Sequence, residues 1–139
     1  MAHKHLPEMT KYSGLLSEPL FLPIVANFYQ GMTVSVPLQR GMFTGKVSVK
    51  NVHEVLTNAY KPNKNITVFG LNDEEQLQDG FLNPSIVKGT DRQENFIYGH
   101  DEQMILISRL DNLGKGASGA AIQNLNLMLG FPEYRGLAI

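Results

Sequence analysis

Val49, Val52, Leu56 and Ala59 recur at steps of three and four, with Val55 on the flank, and that spacing predicts a helix. Elsewhere the apolar residues run in blocks. Residues 20–26 and 32–38 form two apolar, β-rich runs separated by Asn27-Phe28-Tyr29-Gln30-Gly31, and both are expected as strands. Pro23 argues against full hydrogen bonding in the first of them. "NITVFG" reads as a short strand, and residues 72–83 are polar and turn-like. "SIVKGTDRQENFIYG" and "QMILISRLD" read as two strands around the turn His100-Asp101-Glu102. A short helix is expected where Pro7 comes early and Gly14 late, and a last one over residues 117–129. Strands and helices do not alternate regularly. The expectation is therefore an α+β fold with a mixed, largely antiparallel sheet and helices on one face.

Composition narrows the field. A chain of 139 residues allows one domain, 1–139, with a modest core, and no repeat or linker divides it. With 42% hydrophobic and 18% charged residues it is globular rather than disordered. A formal net charge of −1 leaves no electrostatic footprint for nucleic acid or an acidic membrane surface. No apolar run approaches the roughly 18 residues of a membrane span, "MAHKHLPEM" lacks the apolar core of a signal peptide, and a cytoplasmic location is expected. The chain contains no cysteine, which excludes disulfides, thiolate metal sites and cysteine nucleophiles within these residues.

Gly114-Lys115-Gly116-Ala117-Ser118-Gly119 spells G-x-G-x-x-G between a strand-like and a helix-like run, the context of a dinucleotide fingerprint. Such a fold also needs an acidic residue about 20 positions on, at the next strand of a βαβ unit. Only 20 residues follow Gly119, and the expected helix uses about half of them. The glycines therefore call for another explanation. Ala117, Ser118, Gly119, Ala120 and Ala121 strip the helix start of bulk, which suits tight packing, close approach of a ligand, or a polar group at the free N–H groups. Further along, Ile122, Leu125, Met128 and Leu129 are apolar while Gln123, Asn124 and Asn126 are polar, as in a helix lying on a protein surface.

"LDNLGKGASGAAIQNLNLMLGF" resembles the C-terminal segment of N-acetyl-gamma-glutamyl-phosphate reductases, through Asp111-Asn112-Leu113, Lys115-Gly116-Ala117, Gly119, Ala121, Gln123 and Asn124. Aspartate-semialdehyde dehydrogenases share a looser version. "HKHLPEM" resembles the family's His-basic-His-x-Pro-Glu segment. "PLFLPIVANFYQGMTVSVPL" resembles the stretch leading into the dimerisation strands, in the family's shorter form. "VKGTDRQENFIYG" resembles the Val-x-Gly-Thr-Asn strand, with Asp91 in place of the usual asparagine. The blocks come in the family's order and span nearly the whole chain.

The resemblance implies the C-terminal catalytic and dimerisation portion of a reductase of the glyceraldehyde-3-phosphate-dehydrogenase-like fold, about the last two-fifths of the enzyme. The family's NADP-binding Rossmann domain and catalytic cysteine are not among these residues. It further implies NADP as cofactor of the complete enzyme, with no tight binding by this chain alone. The implied partners are the missing NADP-binding portion, on which the last helix would pack, and further copies of the chain. Asn112, Gly116 and Ala117 would shape the nicotinamide side of the cleft.

In the family reaction a thiolate attacks an acyl phosphate, phosphate leaves, and hydride reduces the thioester to an aldehyde. The thiol needs an imidazole nearby, and the tetrahedral intermediates need a proton donor with pKa near neutrality. His3 and His5 are the implied catalytic residues. Pro7 disfavours helix at Leu6, so an extended segment is expected, which would put both histidines on one face. Lys4, Glu8 and Gln30 are the substrate-binding candidates. Two other readings stay open: a frayed terminus with solvated histidines, and a His-x-His metal site completed by Glu8. Where Tyr29 and Gln30 stand, longer family members carry an arginine, which leaves the phosphate-binding group unassigned. His53 and His100 are expected on the surface. Met9, Met32, Met42, Met104 and Met128 are expected as packing, and no metal is expected. The competing functional reading is a non-catalytic oligomerisation module built on the same fold.

Overall fold

A computed structural model describes residues 4–139. Its elements are α1 (Leu6–Ser13), β1 (Met32–Gln39), α2 (Val49–Tyr60), β2 (Ile66–Leu71), β3 (Gln93–Gly99), β4 (Gln103–Leu110) and α3 (Gly119–Met128). The four strands form one sheet in the order β1-β4-β3-β2. β4 runs antiparallel to both β1 and β3, whereas β2 and β3 are parallel, giving the mixed, largely antiparallel α+β fold the pattern predicts.

α2 is the most sharply specified element. Ser48 and Asn51 form a reciprocal capping box, and the Val49 N–H donates to Asp101 Oδ1 at 2.9 Å, tying the helix start to the β3–β4 turn. Val49, Ile97 and Met104 form the core, with Leu38, Phe43, Val52, Leu56, Leu71 and Leu106 packed against it. The register places Leu38, Ile97, Met104 and Leu106 on the sheet face that α2 covers. Glu94, Phe96 and Arg109 lie on the other. There the Arg109 guanidinium meets Glu94 at 2.6 Å, stands over the Phe96 ring and donates to the Asn83 carbonyl. That bond fastens the turn at Pro84–Val87 across this second face.

Several expectations need correction. Residues 20–26 are not a strand. Pro19 and Pro23 remove donors, no described strand pairs with the segment, and Leu20, Ile24 and Val25 lie almost fully exposed. "SIVKGTDRQENFIYG" is not one strand either. Asn83 Oδ1 accepts the Ser85 N–H and starts a 3-10 turn at Pro84–Val87, Gly89 takes φ 73°, and β3 begins only at Gln93. Leu6 is helical and buried, and His5 has αR geometry just before it, so this segment is not extended. Pro7 sits in the first helical turn, where its missing N–H costs nothing. His53 is half-buried, with Nε2 2.9 Å from the Phe69 carbonyl, whereas His100 is exposed as expected. Of the methionines, Met104 is core, but Met42 and Met128 are exposed.

α3 lies within the expected range, at Gly119–Met128. Residues 114–118 form a π-helical turn ahead of it, because the Gly116 and Ser118 N–H groups reach back to Asp111 and Leu113. α3 then turns its polar side inward. Asn126 is buried and donates to the Glu133 and Arg135 carbonyls, while Gln123 joins Asn65, Lys115 and Glu133. Leu125, Met128 and Leu129 face outward. Among the described residues no helix is long and apolar enough to cross a membrane.

Candidate functional site

β4 ends at Leu110 and delivers the next two side chains, Asp111 and Asn112, to one end of the sheet. Asp111 is fully buried. Its Oδ1 accepts the N–H groups of Leu113 and Gly114, at 2.8 and 3.1 Å. Its Oδ2 accepts the Gly89 N–H and the Gln30 side-chain amide, the latter at 3.3 Å. Burial by itself raises the carboxyl's pKa. The N–H groups of Gly89, Leu113 and Gly114, with the charge of Lys88, outweigh that and hold it below the usual value. The group is therefore a carboxylate at neutral pH.

Asn112 completes the arrangement. Its Oδ1 accepts the Gly31 N–H at 2.9 Å, and its side chain lines a groove of about 540 Å³ together with Ala26, Phe28, Tyr29, Met32 and Thr33. Gly31 has φ 111°, and a Cβ there would lie 2.4 Å from the Pro84 carbonyl oxygen, so the Gln30–Gly31 turn can seat against residues 84–85 only as glycine. Ser85 Oγ donates to the Gln30 carbonyl from the same side.

The G-x-G-x-x-G glycines now have a physical reason. A Cβ on Gly114 would strike the Thr90 carbonyl oxygen at 2.5 Å, and one on Gly119 would lie 1.9 Å from Asp91 Oδ1. Both are packing glycines. The N–H groups of Leu113, Gly114, Gly116 and Ser118 are taken by Asp111 and Leu113, so the carboxylate occupies the place an anion would take at such a turn.

The sequence-derived candidates fall in two groups. Gln30 and Asn112 come together through Asp111 and Gly31, and Gly116 and Ala117 lie exposed on the adjoining π turn. His5, at the cap of α1, and Glu8, in its first turn, are neighbours, with Nδ1 3.4 Å from Oε2, and both are exposed. Lys4 is exposed beside them, and His3 lies outside the described residues. Among the described residues no three His, Cys, Asp or Glu side chains gather as metal ligands. Sequence reasoning passed over Asp111 as a site residue. Its signal was an Asp one position past a strand, followed by a Gly-bearing turn, a pattern in which the side chain caps its own backbone.

The sequence matches, over residues 1–112, the family described as "Semialdehyde dehydrogenase, dimerisation domain". It is 46% identical over 138 residues to N-acetyl-gamma-glutamyl-phosphate reductase 2 of a Nostoc species, covering 97% of this chain and 43% of that protein. The N-acetyl-gamma-glutamyl-phosphate reductase of Trichormus variabilis is 45% identical, with the same coverage. That of Brucella ovis is 41% identical over 132 residues, covering 94% of this chain and 42% of the relative. The chain thus spans about two-fifths of the length of these relatives.

Proposed function

The chain belongs to the semialdehyde dehydrogenase dimerisation-domain family, and from that premise we propose that it is the C-terminal portion of an NADPH-dependent N-acetyl-gamma-glutamyl-phosphate reductase of arginine biosynthesis. The observation that carries this reading is 41–46% identity along nearly the whole chain to enzymes of that name. The nucleotide-binding portion and its cysteine come from residues outside this chain.

α3 supports the division of labour. A helix that buries Gln123 and Asn126 and exposes Leu125, Met128 and Leu129 has its apolar side turned toward a partner surface. That surface is the nucleotide-binding portion. Asn112, which lines the groove, and the small, exposed Gly116 and Ala117 beside it fit the edge of a planar ring, and they would hold the nicotinamide. When bound, NADPH supplies the hydride.

His5 is the acid–base group. Glu8 beside Nδ1 orients the imidazole, which would take the thiol proton to make the nucleophile, give a proton to the tetrahedral oxyanion left by hydride addition, and take it back as the thiohemiacetal releases aldehyde and thiolate. His3 shares that segment and stays a candidate for the same role. Lys4 and Glu8 meet the polar parts of the substrate, and Gln30, in the turn before β1 with its amide on Asp111, is the third substrate-binding candidate.

The test mixes the purified chain with the nucleotide-binding portion of the Nostoc relative and follows phosphate-dependent reduction of NADP+ by the semialdehyde. Turnover from the mixture and from neither part alone is expected. In the active mixture, His5→Gln should lower kcat by about 10²-fold or more. A stable complex that turns over nothing would overturn the reading and leave a domain that only assembles.

A further inference from the structure

We propose that Asp111 is a positioning residue that holds the Gln30–Gly31 turn against Asn112, and so fixes the groove-lining amide in one orientation. The proposal rests on the reductase reading for its catalytic consequence, but its structural part stands on this chain alone.

Three separate segments converge on this one carboxylate. Gln30 reaches it from the approach to β1, Gly89 from the loop before β3, and Leu113 and Gly114 from the turn after β4. Its next neighbour, Asn112, spends Oδ1 on the Gly31 N–H, so the Gln30–Gly31 turn is gripped at two consecutive residues by two consecutive side chains. Because Oδ1 is committed to a fixed backbone donor, a flip of the amide would set its NH₂ against the Gly31 N–H, so the bond leaves Nδ2 as the end available to a group in the groove that Asn112 lines. Asp111 does not line that groove and acts through its neighbours. The two acceptor oxygens are what the role requires. In Asp111→Asn, Oδ1 can still take Leu113 and Gly114, but an NH₂ group faces the Gly89 N–H, donor against donor, and the Gln30 amide must turn over to keep its bond.

The test has two readouts. In this chain, amide hydrogen exchange is compared between the parent, Asp111→Asn and Gln30→Met, the last removing only the side-chain link. Exchange at Gly31 should speed at least tenfold in both variants while the α2 amides keep their protection. In the assembled active enzyme, both variants should lower kcat at least tenfold or raise KM for NADPH by that factor, whereas Val49→Ala, a core change remote from the groove, should alter neither. Unchanged Gly31 exchange in Gln30→Met overturns the proposal even if Asp111→Asn fails to fold. Faster Gly31 exchange with unchanged kcat and KM overturns its catalytic part. An inactive parent assembly instead counts against the reductase reading, and the exchange result then judges the positioning claim by itself.

Discussion

A Cβ on Gly119 would lie 1.9 Å from Asp91 Oδ1, while the other oxygen of that carboxylate accepts the Ala138 N–H at 2.9 Å. Asp91 N–H returns a bond to the Ala138 carbonyl, so the start of α3, the loop before β3 and the end of the chain meet at one side chain.

Gly119→Ala should therefore push Asp91 off Ala138. The overpacking cost of about 1–3 kcal/mol exceeds the roughly 1 kcal/mol that alanine returns in helix propensity. Gly114→Ala should cost more, because the Thr90 carbonyl oxygen it strikes, at 2.5 Å, is backbone and cannot swing aside. Adding Asp91→Ala to Gly119→Ala should restore part of the loss, with a coupling of at least about 0.5 kcal/mol in urea unfolding. Gly114→Ala as stable as the parent would refute the packing account of these glycines.

Stability should fall in acid through Asp111. Its folded pKa is depressed, so its contribution is complete above the unfolded value of about 4 and is lost as pH falls from there through the folded value. Urea midpoints from pH 7 to pH 3 should show this slope, and Asp111→Asn should flatten it. An unchanged slope in the variant would assign the acid sensitivity to other carboxylates.

Arg109 and Glu94 pair where both side chains are nearly sealed from water. Glu94→Ala leaves the guanidinium buried without its carboxylate and should cost about 3–5 kcal/mol. Replacing both, as Glu94→Leu with Arg109→Met, should cost clearly less than the two single changes added together. Additive losses would mean that the pair matters for packing alone.

Light scattering at micromolar concentration should give at least twice the 15.5 kDa of one chain. β1 is an edge strand with Val34 and Val36 half-exposed, next to the open apolar stretch at 20–29. Val34→Lys with Val36→Lys should shift the mass toward the monomer. A parent that runs as a clean monomer would contradict assembly through this edge.

The isolated chain should bind NADP(H) no more tightly than about millimolar, near 4 kcal/mol, since the N–H groups of its glycine turn are already satisfied from within. Micromolar binding by calorimetry would show that the turn is a nucleotide site after all.

The local elements were legible where one physical signal dominated. The three- and four-residue steps from Val49 to Leu56 gave α2, and the polar break at His100–Glu102 gave the β3–β4 hairpin, which closes through paired His100–Gln103 backbone bonds. Reading failed where two signals compete. In 20–26 apolar β-formers argue for a strand, yet Pro19 and Pro23 and the lack of a paired neighbour prevail. The seating of α3 was simply not legible: its polar stripe faces in because the final residues fold back to meet Asn126, and nothing local announces that. The candidate site was half visible. Gln30 and Asn112 could be named from the sequence, but the carboxylate that unites them was hidden, since its partners lie in three separate stretches of chain.

The bonds from Gln30 to Asp111 and from Gly31 to Asn112 each span 81 positions. A nascent chain therefore cannot form the clasp until β4 and the turn beyond it have been made. Closing so long a loop is entropically slow unless the intervening strands have already brought its ends together. The groove therefore depends on the β1–β4 pairing that brings these two distant turns to the same end of the sheet.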